Sequence, residues 1–199
     1  LLAEAVNKNY QSICLNNIDK FAKFNHINVD IDQLSKLEKY DEKLIELGFT
    51  KSEVNTIKEL TNRELEKELL RSIRRFLITL KTIPTKNQSG IINLSIAYGT
   101  DTSEYGRMVT KNILLATQEG VSGHLYTTPV QIFKVKEGIN YNKRDKNYDL
   151  YLLAVETQAL RMYPNFMFLD ATANQIDGID ILKDLSYGAT RNRITSNVI

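Results

Sequence analysis

Ile91-Ile92-Asn93-Leu94-Ser95-Ile96-Ala97-Tyr98, followed after Gly99-Thr100 by Asp101-Thr102-Ser103, is the stretch on which the fold turns. Apolar and polar residues alternate well enough through Tyr98 for a strand. Asp101-Thr102-Ser103 then offers N-cap chemistry to a helix running to about Gln118, stopped by Gly120. The same sequence of signals recurs downstream. Pro129 to Val135 reads as a second strand. Asp149 to about Tyr163 reads as a helix with Leu150, Leu153, Ala154, Thr157 and Leu160 on one side. Phe166 to Leu169 reads as a short buried strand, and the tail from Leu185 as strand or extended loop. Alternation of strand and helix predicts a mixed α/β architecture.

Upstream the chain changes character. Residues 1–83 contain one glycine, Gly48, and no proline, whereas the remainder holds eight glycines and all three prolines. Gly and Pro punctuate turns, so a helical region over residues 1–84 is expected to precede an α/β domain over residues 85–199. Residues 2–24 read as a helix broken by Asn25-His26. Leu34, Leu37, Leu44 and Leu47 form one stripe ended by Gly48-Phe49. Thr50-x-x-Glu53 and Thr61-x-x-Glu64 both have capping-box spacing, starting or restarting helices that carry Val54, Ile57, Leu60 and then Leu65 to Leu80.

Composition narrows the function classes. The 199 residues are 42% hydrophobic and 25% charged, which excludes disordered and fibrous chains. Twenty-six Lys and Arg against 24 acids leave a net charge of +2, no reason to expect nucleic acid or a membrane surface as partner. No apolar run reaches the roughly 18–20 residues needed to cross a bilayer. The start, Leu1-Leu2-Ala3-Glu4, lacks the charged-then-apolar order of a secretory signal. Cys14 is the only cysteine, so intramolecular disulfides and Cys-rich zinc sites are impossible within these residues. A cytoplasmic setting is the expectation.

Generic catalytic motifs are absent: there is no G-x-G-x-x-G and no phosphate loop ending in Gly-Lys-Ser/Thr. His26 and His124 lie far apart without ligand-spaced neighbours, so no metal site is expected. His26, in a polar helix break, reads as structural, and His124, in a Gly-rich loop, reads as structural ahead of a functional alternative. Arg71, Arg74, Arg75 and Lys81 make a basic helix face, with Glu64, Glu66 and Glu68 upstream as partners. Asp101 is most simply a cap, although the same helix-start amides could hold a phosphate. Asp170, just after the third strand, is either a turn former or a site residue at the strand end where α/β sheets place ligands.

Several longer words then recur in one order: Tyr98-Gly-Thr-Asp-Thr-Ser103, Gly106-Arg-Met-Val109, Leu114-Leu-Ala-Thr117 and Pro129-Val-Gln-Ile-Phe-Lys-Val-Lys-Glu-Gly-Ile-Asn140. Asn147-Tyr-Asp-Leu150, Pro164-Asn165 and Phe168-Leu-Asp170 complete the series. Together they resemble the central part of the anaerobic (class III) ribonucleoside-triphosphate reductases, a glycyl-radical enzyme family. The resemblance implies part of a ten-stranded α/β barrel. It implies an oxidoreductase lineage that converts ribonucleotide to deoxyribonucleotide with formate as reductant. A glycyl radical would pass to a cysteine on a finger loop, and that thiyl would abstract the 3′ hydrogen of the ribose in a water-excluded pocket. The implied partners are nucleoside triphosphates, deoxynucleotide effectors, an iron–sulfur radical-SAM activase and a second copy in a homodimer.

The chain departs from that pattern where it matters. The family's finger loop reads Met-Gly-Cys-Arg-Thr-Arg, whereas here the residues are Tyr187-Gly188-Ala189-Thr190-Arg191-Asn192-Arg193. Gly188, Arg191 and Arg193 carry over, but the cysteine position falls on Ala189, or on Thr190 if the gap moves. The family's Arg-Val-x-Gly-Tyr radical loop and its C-terminal four-cysteine zinc site are not found either. No cofactor is therefore expected within this chain; glycyl radical, formate and structural zinc belong to the family's other parts. Two expectations follow: a segment of the reductase inactive as an isolated chain, or a degenerate relative acting as a nucleotide-binding or protein-interaction module. Nucleotide binding would use Thr102, Ser103 and Arg107 with Arg191 and Arg193.

Overall fold

The computed structural model describes residues 2–37, 40–82, 94–120, 128–188 and 193–195. The chain forms two compact units, Leu1–Leu69 and Leu70–Ile199. The first is helical: α1 Leu2–Phe24, α2 Ile31–Leu34, α3 Asp41–Glu46 and the start of α4, which runs from Lys51 to Thr82. Its core gathers Cys14, Ile18, Leu34, Leu44 and Ile57 from the four helices and Phe49 from the turn between α3 and α4. At the end of α3, Gly48 adopts φ +103°, and Phe49 N–H bonds the Leu44 carbonyl at 3.0 Å. This is the expected glycine stop, with buried Phe49 behind it. The Thr50–Glu53 box also forms: Thr50 N–H donates to Glu53 at 2.8 Å and Glu53 N–H to Thr50 Oγ1 at 3.2 Å.

Two upstream expectations are corrected. Leu34, Leu37, Leu44 and Leu47 do not share one helix; α2 and α3 are separate, and Leu37 is 39% exposed while Leu34 and Leu44 are buried. Thr61-x-x-Glu64 starts nothing, because α4 continues through it. Both side chains instead accept from Asn17 Nδ2, at 3.2 and 3.0 Å, and Thr61 Oγ1 donates back to the Ile57 carbonyl. Asn17 is wholly buried, so this network satisfies a polar group the core would otherwise strand.

The second unit holds β1 Ser95–Tyr98, α5 Glu104–Glu119, β2 Val130–Val135, α6 Tyr148–Arg161 and β3 Asn165–Phe168. The three strands are parallel in the order β1-β2-β3. The expected mixed α/β class is thus observed; residues 91–93 of the expected first strand lie outside the described residues. One sheet face packs under both helices, with Phe133 and Val135 against Leu114, Leu150 and Ala154. The other face carries Ile132 and Met167 and is covered by Leu169, Leu185 and the segment Ile176–Leu182. A short antiparallel pair, β4 Leu185–Tyr187 and β5 Arg193–Thr195, accounts for the expected strand in the tail. The C-terminal part of α4 packs on α5 through Leu77 and Ala116.

Some details differ from the sequence reading. Helix α6 begins at Tyr148 and ends at Arg161, with Met162 in the left-handed conformation, φ +61°. Leu160 is 61% exposed rather than on the buried side, and Phe168 of β3 is 46% exposed. Arg74 pairs with Glu119 of α5, not with the upstream glutamates of its own helix.

Candidate functional site at the carboxyl edge of the sheet

The three strands end together, and their following loops meet. After β1 the chain turns at Gly99, φ +113°, where an added Cβ would sit 3.0 Å from the Lys134 carbonyl and from the Phe133 ring. Only glycine permits both the dihedral and the approach. Asp101 Oδ1 accepts from Ser103 N–H at 2.9 Å, and Ser103 Oγ accepts from Gly106 N–H at 3.1 Å as the N-cap of α5. The Asp101 carboxylate lies over Gly106, 2.1 Å from where a Cβ would stand. The helix start therefore already holds an anion, its own Asp101.

Two wholly buried asparagines fix this turn. Asn140 Nδ2 donates to the carbonyls of Gly99 (3.0 Å) and Lys134 (2.8 Å), while its Oδ1 accepts from Lys136 N–H at 2.9 Å. Asn147 Nδ2 donates to the carbonyls of Gly99 (3.1 Å) and Asp101 (2.9 Å). Arg107 completes the set: its guanidinium donates to the Lys146 carbonyl, to Asn147 Oδ1 at 2.8 Å and to Asp149 at 2.8 Å. The far ends of the two helices are tied reciprocally, since Arg161 Nε donates to the Gln118 carbonyl at 2.6 Å. An arginine at the carboxyl end of α5 also suits the helix dipole.

At the end of β3, Asp170 accepts from Glu137 N–H at 2.7 Å and from Lys136 Nζ at 2.9 Å. The backbone donor, with Lys136 behind it, holds its carboxyl below the usual range. On the opposite sheet face, Lys134 Nζ donates to the Leu182 carbonyl at 2.8 Å, and burial pushes its ammonium pKa down. Tyr98 bonds Gln131 Oε1 at 2.8 Å, and burial pushes its phenol well up. Among the described residues no three His, Cys, Asp or Glu side chains are grouped to hold a metal ion. No helix among them is long and apolar enough to cross a membrane.

Thr102, Ser103 and Arg107 thus lie together at the carboxyl edge. Gly188 lies elsewhere, lining a cleft of about 330 Å³ with Val130, Ile132, Asn165, Phe166 and Tyr187. Ala189, Thr190, Arg191 and His124 lie outside the described residues, as does the side chain of Arg193. His26 is exposed at the helix break, with φ +58°. Sequence reasoning did not single out Asn140, Asn147 or Lys136 as positioning groups. Their only signal was membership in the recurring words Pro129–Asn140 and Asn147–Leu150.

Parallel strands in sequential order, both crossover helices on one face and loops converging on the carboxyl edge define a βαβαβ segment of a singly wound α/β fold. A family profile described as anaerobic ribonucleoside-triphosphate reductase matches residues 10–193, and the chain belongs to that family. Curated relatives carry the same name, anaerobic ribonucleoside-triphosphate reductase. The protein of Haemophilus influenzae is 33% identical over 110 residues, 53% of this chain and 15% of the relative. That of Escherichia coli K12 is 32% identical over 79 residues, 39% of this chain and 11% of the relative. That of bacteriophage T4 is 31% identical over 105 residues, 51% of this chain and 17% of the relative. The matched region is therefore under a fifth of these relatives' length.

Proposed function

We propose that this chain is a scaffold segment of the reductase lineage that does not carry out ribonucleotide reduction by itself. The carrying observation is the residue at the finger-loop cysteine position, Ala189 or Thr190, in a chain whose sole thiol is Cys14. That thiol is 3% exposed in the core of the helical unit. Hydrogen transfer through the loop needs a weak S–H bond, and an alkyl or hydroxyl group binds its hydrogen much more strongly. The central transfer would run uphill, and electrostatic preorganisation cannot supply a missing sulfur. With one cysteine, the residues present do not fit the family's four-cysteine zinc site. The test is an anaerobic assay with ribonucleoside triphosphate, formate and a radical-generating iron–sulfur activase. No deoxynucleotide is expected, from the chain itself or from Ala189→Cys; product from the unmodified chain would overturn the reading.

For retained nucleotide affinity the candidates are Thr102, Ser103 and Arg107, with Arg191 and Arg193. Two features weigh against it at the helix start. Asp101 already accepts from the first amide there, and the Arg107 guanidinium is taken up by three acceptors of residues 146–149. A phosphate would have to displace one carboxylate and approach another, Asp149. Calorimetric titration with nucleoside triphosphates and deoxynucleotides should give no saturable heat at millimolar ligand. Saturable binding lost in Ser103→Ala or Arg107→Ala would restore the module reading.

A further inference from the structure

The loop between β2 and α6 is unusually well tied for a surface segment. Asn140 and Asn147 anchor it below, Asn147 N–H bonds the Ile139 carbonyl at 2.9 Å, and Asn142 and Asp145 close a turn. The side chains it presents are exposed: Tyr141, 51% accessible, then Lys143, Arg144 and Lys146. Neighbouring charges are compensated, Lys136 by Asp170 and Asp149 by Arg107. Asp145 is engaged by Asn142 N–H. The three cations make no side-chain hydrogen bond or ion pair with a described residue. With Asp145 counted against them, residues 143–146 still carry an excess of two positive charges, as much as the whole chain's net +2.

The loop leads directly into an apolar stripe. The Tyr141 ring stands 6.5 Å and the Tyr148 ring 6.2 Å from that of Tyr151 on the first turn of α6. One turn beyond Tyr148, Leu152 is 51% exposed, and Val155 follows at 41%. An apolar centre containing tyrosine, edged by cations including an arginine, has the anatomy of a protein-binding surface. Tyr141 to Arg144 are four successive exposed residues. Such a run of open side chains suits a protein partner better than a small phosphate ligand, whose sites bury most of the ligand. Because the loop is already bonded in place, little ordering entropy is lost on docking.

We infer that the 141–155 segment is a docking surface for an acidic amphipathic helix of a partner protein. The helix lays its apolar stripe over Tyr141, Tyr148 and Leu152 and its carboxylates against Lys143, Arg144 and Lys146. The test is fluorescence anisotropy of the whole chain with a labelled synthetic helix, Leu at the a/d-like positions and Glu on the flanks. Saturable, salt-sensitive binding is expected. It should weaken at least about tenfold when Lys143→Ala, Arg144→Ala and Lys146→Ala are combined, and also in Leu152→Ser. Combining Lys67→Ala, Arg71→Ala and Arg75→Ala removes the same charge from α4 and should leave affinity unchanged. Circular dichroism and urea melts establish that each variant is folded. Absence of binding, equal losses in the two triple variants, or equal binding of a Lys-for-Glu peptide would overturn the inference. So would stronger competition by tripolyphosphate or a single-stranded oligonucleotide than by unlabelled peptide.

Discussion

Asn147 spends every hydrogen-bonding group it has on other parts of the chain: its side chain on two carbonyls of the β1–α5 turn and one arginine of α5, its N–H on the Ile139 carbonyl and its C=O on Tyr151 N–H. Asn147→Asp keeps the shape but turns a carboxylate toward the carbonyls of Gly99 and Asp101, so it should be as damaging as Asn147→Ala. Either change should cost roughly 2–4 kcal/mol in urea denaturation, since several buried groups lose partners at once. Asp170 offers a milder test. Its folded pKa is depressed, so its contribution to stability is present above the unfolded value near 4 and is lost as pH falls through the folded one. The carboxylate is 45% accessible, so solvent screening keeps the effect small. Melting temperatures followed from pH 6 downward should fall less steeply for Asp170→Asn than for the parent chain below about pH 4.

Elements were most legible in the sequence where local chemistry decides them. Ser103 and Gly120 bound α5 as their residue types dictate, and Thr50 with Glu53 opens α4. Thr50→Ala should therefore destabilise the helical unit by about 1 kcal/mol in a chemical melt. Legibility failed where tertiary contacts override a local pattern. Thr61 and Glu64 have the spacing of a cap, yet a buried asparagine 44 residues upstream of Thr61 claims both. The apolar spacing of residues 34–47 passes unchanged through the gap between α2 and α3, because periodicity records faces and not breaks. The partners of Asp170 lie 33 and 34 residues back in the chain, so no local signal could announce them. The end of α6 was misplaced by two residues because Met162, not glycine, takes the left-handed position. Met162 is 77% exposed, so Met162→Gly should remove strain without loss of packing and stabilise by about 0.5–1 kcal/mol.

At the scale of the whole molecule, the sheet leaves β3 without a second strand partner among the described residues, and half-exposed Phe168 stands on it. Such an edge invites pairing with another chain. Phe168→Lys should raise the concentration at which light scattering first appears, at a stability cost within about 1 kcal/mol. The two compact units also raise the question of whether they open together, and the chain carries its own means of answering it. Cys14 is the sole thiol, it lies inside the helical unit, and burial pushes its pKa up. In the closed state it offers a soluble disulfide reagent neither access nor thiolate. Its rate of labelling at graded urea then counts openings of the helical unit alone, while tyrosine fluorescence follows the whole chain. A divergence between the two would measure, without any substitution, how far one half of the molecule can unravel before the other follows.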